Sequence, residues 1–565
     1  MLAGAALAAS ACARAPQPPV PDRLQRVLAA LGPSEFITLD AETRPATLLA
    51  PGEVRRCRAT VAPGSQLDFA IGIMEGAPAE GSVRISVESE GRALAQETLP
   101  VGRRRWLNRS VAFAAPGELA LEFKAELIGA ESAGSGRFIA LASARVEPPP
   151  RARRPRLLVW ISQDTVRADH LGAYGYGRST SPNFDRLARG FTVFEQAVSA
   201  ASWTLPSLTS QMTSRYPSFH GATQATKAAD ARYPTLFETL ANDGFTVLGV
   251  TGNPFISDKY ALARGFDALV YTGLKADVVS RLARQYSDQW NGGDLALFVH
   301  FMDPHSPYRP PEEYRDKFGP AYDGAVDGFN YRSAAKTDAD VERVRALYDG
   351  ELAWTDHEIA GLLAALSQKG LLDQAVIAYS ADHGDEFMDH GSWGHAHTLY
   401  EELLHVPFAL RVPGARARRV AEPVSLVDLA PTLLEALRVP APASYQGRSL
   451  LPLVHGATLP ELPLFAETAR FKTSHKVAVR LGRFKYIEEL MEPEGKALQK
   501  ARELLFDLEA DPKESGGEPS GAELERLRRE VAGFLARAQA ADVHGQAARI
   551  DPEDEEALRA LGYVN

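Results

Sequence analysis

Hydrophobic positions change their spacing several times along this chain. Between Glu35 and Glu147 they alternate with polar ones in short runs, such as Leu67-Asp68-Phe69-Ala70-Ile71 and Val83-Arg84-Ile85-Ser86-Val87, broken by Gly and Pro. A period of two with frequent turn residues predicts an antiparallel β-sandwich over 35–147. At Leu157-Leu158-Val159-Trp160-Ile161 the pattern becomes continuously apolar, as in a strand covered on both faces. From there to about residue 437, strand patterns (246–250, 295–301, 375–380, 408–412) alternate with helical ones (182–189, 235–242, 340–368, 426–437). That alternation predicts an α/β domain with a doubly wound sheet over 155–462, binding ligands beyond the carboxyl ends of its strands. After Pro463 a hairpin pattern around Gly482 and a polar helical stretch over 522–540 predict a small α+β subdomain over 463–540, followed by a tail, 541–565.

At 565 residues the chain exceeds one ordinary core, in keeping with several domains. Hydrophobic residues at 45% and charged residues at 24% are typical of globular proteins. The net charge of −10, from 62 basic and 72 acidic residues, argues against a general nucleic-acid binder. It leaves small anionic substrates open, because a metal or a basic pocket outweighs global charge at short range. Residues 1–34 read as a leader and linker. The small apolar run MLAGAALAASA followed by Cys12 resembles a bacterial lipoprotein signal, which implies export to the periplasm or cell envelope and a lipid anchor on Cys12. An Ala-rich leader with no such role is the alternative. No later run reaches the ~18 apolar residues needed to span a bilayer. Lipidation of Cys12 would leave Cys57 alone, and two cysteines cannot build a disulfide scaffold. The 35–147 segment concentrates no His, Cys or paired carboxylates, so it reads as a structural appendage or as a carbohydrate- or surface-binding module.

Three segments carry chemistry. Asp164 closely follows the first buried strand pattern, where a carboxylate can hold a cation or simply cap a helix. Asp382-His383-Gly384 follows the 375–380 pattern and offers an oxygen and a nitrogen ligand side by side. The histidine moves preference from calcium towards zinc, manganese or iron. Thr204 precedes Pro206 at an expected helix start, where free amides and the positive dipole end favour an anion. Its hydroxyl could be an N-cap or, beside a cation, a nucleophile.

The stretch Ser202-Trp203-Thr204-Leu205-Pro206-Ser207-Leu208, with Ser214-Arg215 and His220-Gly221, resembles the signature of the sulfatase family of the alkaline phosphatase superfamily. In that family a Cys or Ser, converted to formylglycine, stands where this chain has Thr204, and an Arg stands where it has Leu208. The resemblance covers nearly all of 155–540. It implies one divalent ion (Ca, Mn, Zn or Mg) on Asp164, Asp382, His383 and Thr204, although Thr165 stands where many members carry a second acidic residue. It also implies that His305 assists the leaving group and that Asn253 and His395 stand near two anion-binding lysine positions. Threonine cannot become formylglycine, so the expected function is cleavage of sulfate or phosphate esters by a Thr204 nucleophile. The substrate would be an anionic ester, either a small molecule or one linked to glycan or lipid. A phosphodiesterase or phosphoethanolamine-type transferase is one alternative; a weakly catalytic, metal-retaining binding protein is another.

Overall fold

The computed structural model describes residues 24–129, 136–149, 154–273, 275–288, 290, 292–470, 474–491, 499–517, 521–543, 545–560 and 563. The leader and Cys12 lie outside the described residues. No helix among the described residues is long and apolar enough to cross a membrane. The chain divides into two compact units: one runs to residue 154 without 41–44, and the other takes 41–44 and everything from 155 onward.

In the first unit, alternating runs form two antiparallel sheets. One carries Gln66–Ile73 between Ile139–Glu147 and Leu107–Ala112. The other is ordered Val54–Val61, Gly117–Ile128, Ser82–Ser89, Arg92–Pro100. Inward residues of both sheets share one core, with Phe69 and Phe123 meeting edge to face at 5.8 Å. Cys57 is buried here as a free thiol, and burial pushes its pKa up to about 11.

The second unit is built on a mixed sheet, in the order Arg418–Val420, Thr192–Val198, His405–Arg411, Ala375–Ala381, Leu157–Gln163, Leu295–Phe301, Thr246–Thr251, Ala268–Tyr271. All neighbours are parallel except His405–Arg411, which runs antiparallel to both strands beside it. The continuous apolar run at 157–161 is covered on both faces, and Trp160 packs at its centre against Phe237 and Phe298. The 31-residue helix Asp338–Gln368 starts with a capping box between Thr337 and Asp340.

A separate antiparallel sheet follows, Leu464–Thr468, Ser474–Leu481, Phe484–Met491 and Gln499–Asp507, turning tightly at Gly482 (φ 59°). The helix Ala522–Ala541 covers it, with Phe534 stacked on Phe465 at 4.2 Å. Beyond that helix the chain does not trail away. Gln546–Ala547 pairs with Lys227–Ala228, and a helix spans Pro552–Ala560.

The small sheet is tied to the segment after the Ala375–Ala381 strand by Lys485. Its buried ammonium pairs with Glu401 at 2.8 Å and Glu514 at 2.9 Å. Removing the cation leaves Glu514 buried without its ion-pair partner, beside a Glu401 that keeps Arg480 at 3.4 Å. Lys485→Met should therefore lower the unfolding free energy by about 3 kcal/mol or more, read as a shift in the urea midpoint. An unchanged midpoint would show that the pair contributes nothing.

Candidate active site

The register of the central strands builds the site. Gln163 and Ala381 are partners at the ends of parallel neighbours, so the next residues on each, Asp164 and Asp382, emerge side by side. The ladder continues past the strand ends: Asp164 N–H donates to the Phe301 carbonyl (2.9 Å), and Thr165 N–H donates to Asp382 Oδ1 (3.1 Å). His383 follows Asp382, and ligand atoms of Asp164, Asp382 and His383 all lie within 4.8 Å of one another. No other group of this kind occurs among the described residues. Gly384 is required by a close approach: a Cβ there would stand 1.9 Å from the Glu402 carbonyl oxygen.

These groups are fully buried. Asp164 Oδ1 and Asp382 Oδ2 accept no hydrogen bond from any described residue. Burial, then the mutual repulsion of the pair, hold the Asp164 carboxyl well above its ordinary range. Burial pushes Asp382 up to about 6. His383 Nδ1 bonds the Gly384 carbonyl at 2.8 Å, which fixes the tautomer and leaves Nε2 as a bare lone pair facing the carboxylates. Burial lowers His383 to about 4, so the ring is neutral near pH 7. Two orphaned carboxylate oxygens and a neutral imidazole nitrogen converging on one point fit a divalent cation.

Thr204 joins this cluster from the helix Thr204–Thr213. Its Oγ1 lies 3.2 Å from His383 Nε2 and 3.5 Å from Asp164 Oδ2. Trp203, extended at φ −162° and ψ 162°, is the N-cap, so Thr204 is the first helical residue and does not cap. Pro206 is third rather than first in the helix, a place where a missing N–H still loses no intrahelical bond. The helix is locked to the carboxylate strand, because Ser207 Oγ donates to the Asp382 carbonyl (2.7 Å) and Gln211 Nε2 to the Ala381 carbonyl (3.2 Å). His220, from the signature stretch, bonds Ser210 and the Pro206 carbonyl from behind.

His305 and His395 stand beside this cluster, the His395 ring 4.5 Å from that of His383 and 5.1 Å from that of His305. His305 Nδ1 bonds the Ser306 carbonyl at 2.6 Å, and His395 Nδ1 bonds Asp385 Oδ1 at 3.1 Å, so each ring turns Nε2 inward. Burial lowers His305 to about 4. Burial, then His383, His305, Arg470 and Arg332, lower His395 well below its usual value. Asn253 departs from the expected donor to substrate, because its amide donates to Asp164 Oδ2 at 2.8 Å and so orients a carboxylate.

Three participants escape the sequence reading. His300, on the strand beside Asp164, is buried with neither ring nitrogen hydrogen-bonded among the described residues, its Nε2 3.9 Å from Asp164 Oδ2. A lone histidine in an otherwise apolar strand was its signal. Asp385 supports His395 and is also bonded by the Tyr308 hydroxyl. Tyr563, in the tail, sits in the site itself. Its hydroxyl lies 3.1 Å from Thr204 Oγ1, 3.2 Å from His305 Nε2 and 3.1 Å from His395 Nε2. No local spacing links it to residues hundreds of positions earlier.

The Sulfatase family model matches residues 156–439, and the model for the C-terminal part of N-sulphoglucosamine sulphohydrolase matches 389–539. The choline-sulfatase of Rhizobium meliloti (strain 1021) is 27% identical over 256 residues, 41% of this chain and 48% of that protein. Arylsulfatase K of Homo sapiens is 36% identical over 142 residues, 25% of this chain and 24% of that protein. The chain thus matches half or less of these relatives' own lengths. Among solved structures, one in complex with its substrate D-glucosamine-2-N,6-O-disulfate aligns with a TM-score of 0.58 at 18% identity, covering 69% of this chain and 98% of that one. A phosphonate monoester hydrolase of Agrobacterium radiobacter aligns at 0.56 and 20% identity, covering 69% and 96%. With half its length matched by the family model and its fold shared by those structures, the chain belongs to the sulfatase family.

Proposed function

We propose that this protein is a metal-dependent ester hydrolase that cleaves sulfate or phosphate esters through Thr204. The observation that carries this reading is the Thr204 hydroxyl, buried at a helix start within 3.5 Å of both His383 Nε2 and Asp164 Oδ2. Asp164, Asp382, His383 and Thr204 would hold one divalent ion. When bound, the ion supplies positive charge that lowers the pKa of the hydroxyl and polarises the ester oxygens.

The chain's own groups do the rest. The Thr204–Thr213 helix presents its positive end to an anion, and Arg332 and Arg470 add charge near His395. Thr204 Oγ1, its proton released to solvent, attacks sulfur or phosphorus, and the ester alcohol leaves with a proton. The Thr204 ester is then cleaved by water, one of whose protons returns to Thr204 Oγ1 while the anion carries the hydroxyl oxygen away. His305 Nε2 carries the proton at the leaving oxygen. Its ring is neutral in the free protein, and an anionic ester beside it favours the protonated form. Asn253 and Asp385 hold Asp164 and His395 in place. Phosphoesters fit best, because oxidising the secondary alcohol of threonine gives a ketone that hydrates poorly and not the formylglycine aldehyde. The substrate is an anionic ester, small or linked to glycan or lipid, and a leader ending at Cys12 would place the reaction outside the cytoplasm.

Two experiments test this reading. Thr204→Ala should lower kcat/KM on nitrophenyl phosphate, phosphodiester or sulfate by about 10³-fold or more, with Thr204→Ser retaining part of the rate; full activity in Thr204→Ala overturns the nucleophile. The second is thermal unfolding with and without manganese. Asp164 and Asp382 have folded pKa values raised above the ordinary carboxylate value of about 4. The folded metal-free protein therefore holds extra protons between about pH 4 and 6, and its stability falls as pH rises through that window. A cation relieves the exposed repulsion, so manganese should raise Tm more at about pH 7.5 than at about pH 5. An equal shift at both values, or none, counts against the site.

A further inference from the structure

The tail residue Tyr563 occupies the space that a substrate needs. Its hydroxyl touches the proposed nucleophile and both inward-facing imidazoles, at 3.1–3.2 Å. Its ring is received by an aromatic cradle: Phe255 at 4.8 Å edge to face, Trp203 at 5.9 Å, and the Arg470 guanidinium 5.3 Å from the ring centre. Trp203 and Phe255 are fully buried beneath Tyr563 and pack edge to face with each other. Tyr563 is itself buried.

The residues before it are docked onto the same unit. Gln546–Ala547 pairs with Lys227–Ala228, and Asp551 pairs with Lys259 at 2.7 Å. Leu558 is buried, and its carbonyl accepts from Tyr563 N–H at 2.8 Å. An ester whose sulfur or phosphorus is attacked by Thr204 Oγ1 and whose leaving oxygen is protonated by His305 needs the space between these two groups, where the phenol oxygen now lies. The two cannot be present together.

On the reading of Thr204 and His305 given above, we propose that Tyr563 is a built-in competitor, a phenol that fills the substrate cavity until an anionic ester displaces it. Tethering makes this competition intramolecular, with an effective concentration in the millimolar range. The hydroxyl is held by an imperfect set of partners. Both Nδ1 atoms are engaged by acceptors, so both Nε2 atoms are acceptors, and one phenolic proton can serve only one of them. The second His contact is left without a proton, which keeps the plug releasable. A phosphate or sulfate group adds charge that the phenol lacks.

The experiment uses the full-length chain and two variants, Tyr563→Ala and Tyr563→Phe. Plugging reduces apparent affinity by the open fraction, so Tyr563→Ala should lower KM for a nitrophenyl ester about fivefold or more, with kcat held or raised. Tyr563→Phe, which keeps the ring, should fall between. Inorganic phosphate binding to manganese-loaded protein, measured calorimetrically, should tighten by a similar factor. Nitration of Tyr563 by tetranitromethane, read by peptide mass spectrometry, should be slow in the free protein and accelerate several-fold with phosphate and manganese. An unchanged KM and phosphate affinity in Tyr563→Ala overturns the proposal. So does a kcat loss of tenfold or more, which makes the phenol catalytic, or a tenfold loss of manganese affinity in Tyr563→Phe, which makes it a metal ligand. Failure of the underlying hydrolase reading looks different: no ester is turned over by any form, while the phosphate and nitration measurements still decide the plug.

Discussion

Two carboxylates buried against each other, Asp164 and Asp382, set the terms for everything around them. Unit charges within about 5 Å repel by roughly 3 kcal/mol at an effective dielectric of 20, and burial adds to that cost. The surrounding groups are arranged to relieve it. Backbone N–H of Thr165 and of His383 donates to Asp382 Oδ1, and the Asn253 amide donates to Asp164 Oδ2. The remaining oxygen of each is left bare towards the lone pair of His383. A cation at that point satisfies three groups at once. Without one, protons must, and this is why both carboxyls are pushed upward. The sheet register makes this unavoidable: parallel neighbours ending in step deliver adjacent side chains to one place.

The hold on Thr204 follows from the same strand. The Thr204–Thr213 helix is buried along its whole length. It bonds the carbonyls of Ala381 and Asp382, which ties the helix to the strand end that carries Asp382 and His383. The supporting contacts are polar and interior, which makes them costly to leave unmade and specific in geometry. The His300 ring is also buried without a hydrogen-bond partner among the described residues, as are Asp164 Oδ1 and Asp382 Oδ2.

What the sequence made legible was whatever local spacing could carry. Asp382-His383 after an apolar strand, and Thr204 before Pro206, are short patterns tied to strand ends and helix starts, and the structure brings their side chains together. The central sheet is of the α/β class expected, but the direction of one strand was not legible. His405–Arg411 has the same apolar pattern as a parallel strand but enters from the opposite direction, and hydrophobic patterning carries no sign of direction. Asn253 reads as a donor by residue type, yet orientation is a tertiary property, and here it faces Asp164. Arg332, Arg470 and Tyr563 reach the site from segments without any periodic signal. Contacts made by chain ends and loops are fixed by the finished fold and by nothing nearby in sequence.

Why threonine can serve here is visible from its companions on the same helix. Thr209 and Thr213 each donate the hydroxyl to a carbonyl one turn back, Leu205 and Thr209 respectively, at 2.6 Å. That back-bond is the ordinary fate of a helical threonine and removes the hydroxyl from other chemistry. Thr204 is the first helical residue, so no helical turn lies behind it to supply a carbonyl. Its β-branch limits χ1, and the rotamer it takes directs Oγ1 to Asp164, His383 and the Tyr563 hydroxyl. Position in the helix therefore decides which threonine keeps its hydroxyl off the backbone. The same side chain that bonds a backbone carbonyl at positions 209 and 213 is left, at the head of the helix, to bond other side chains.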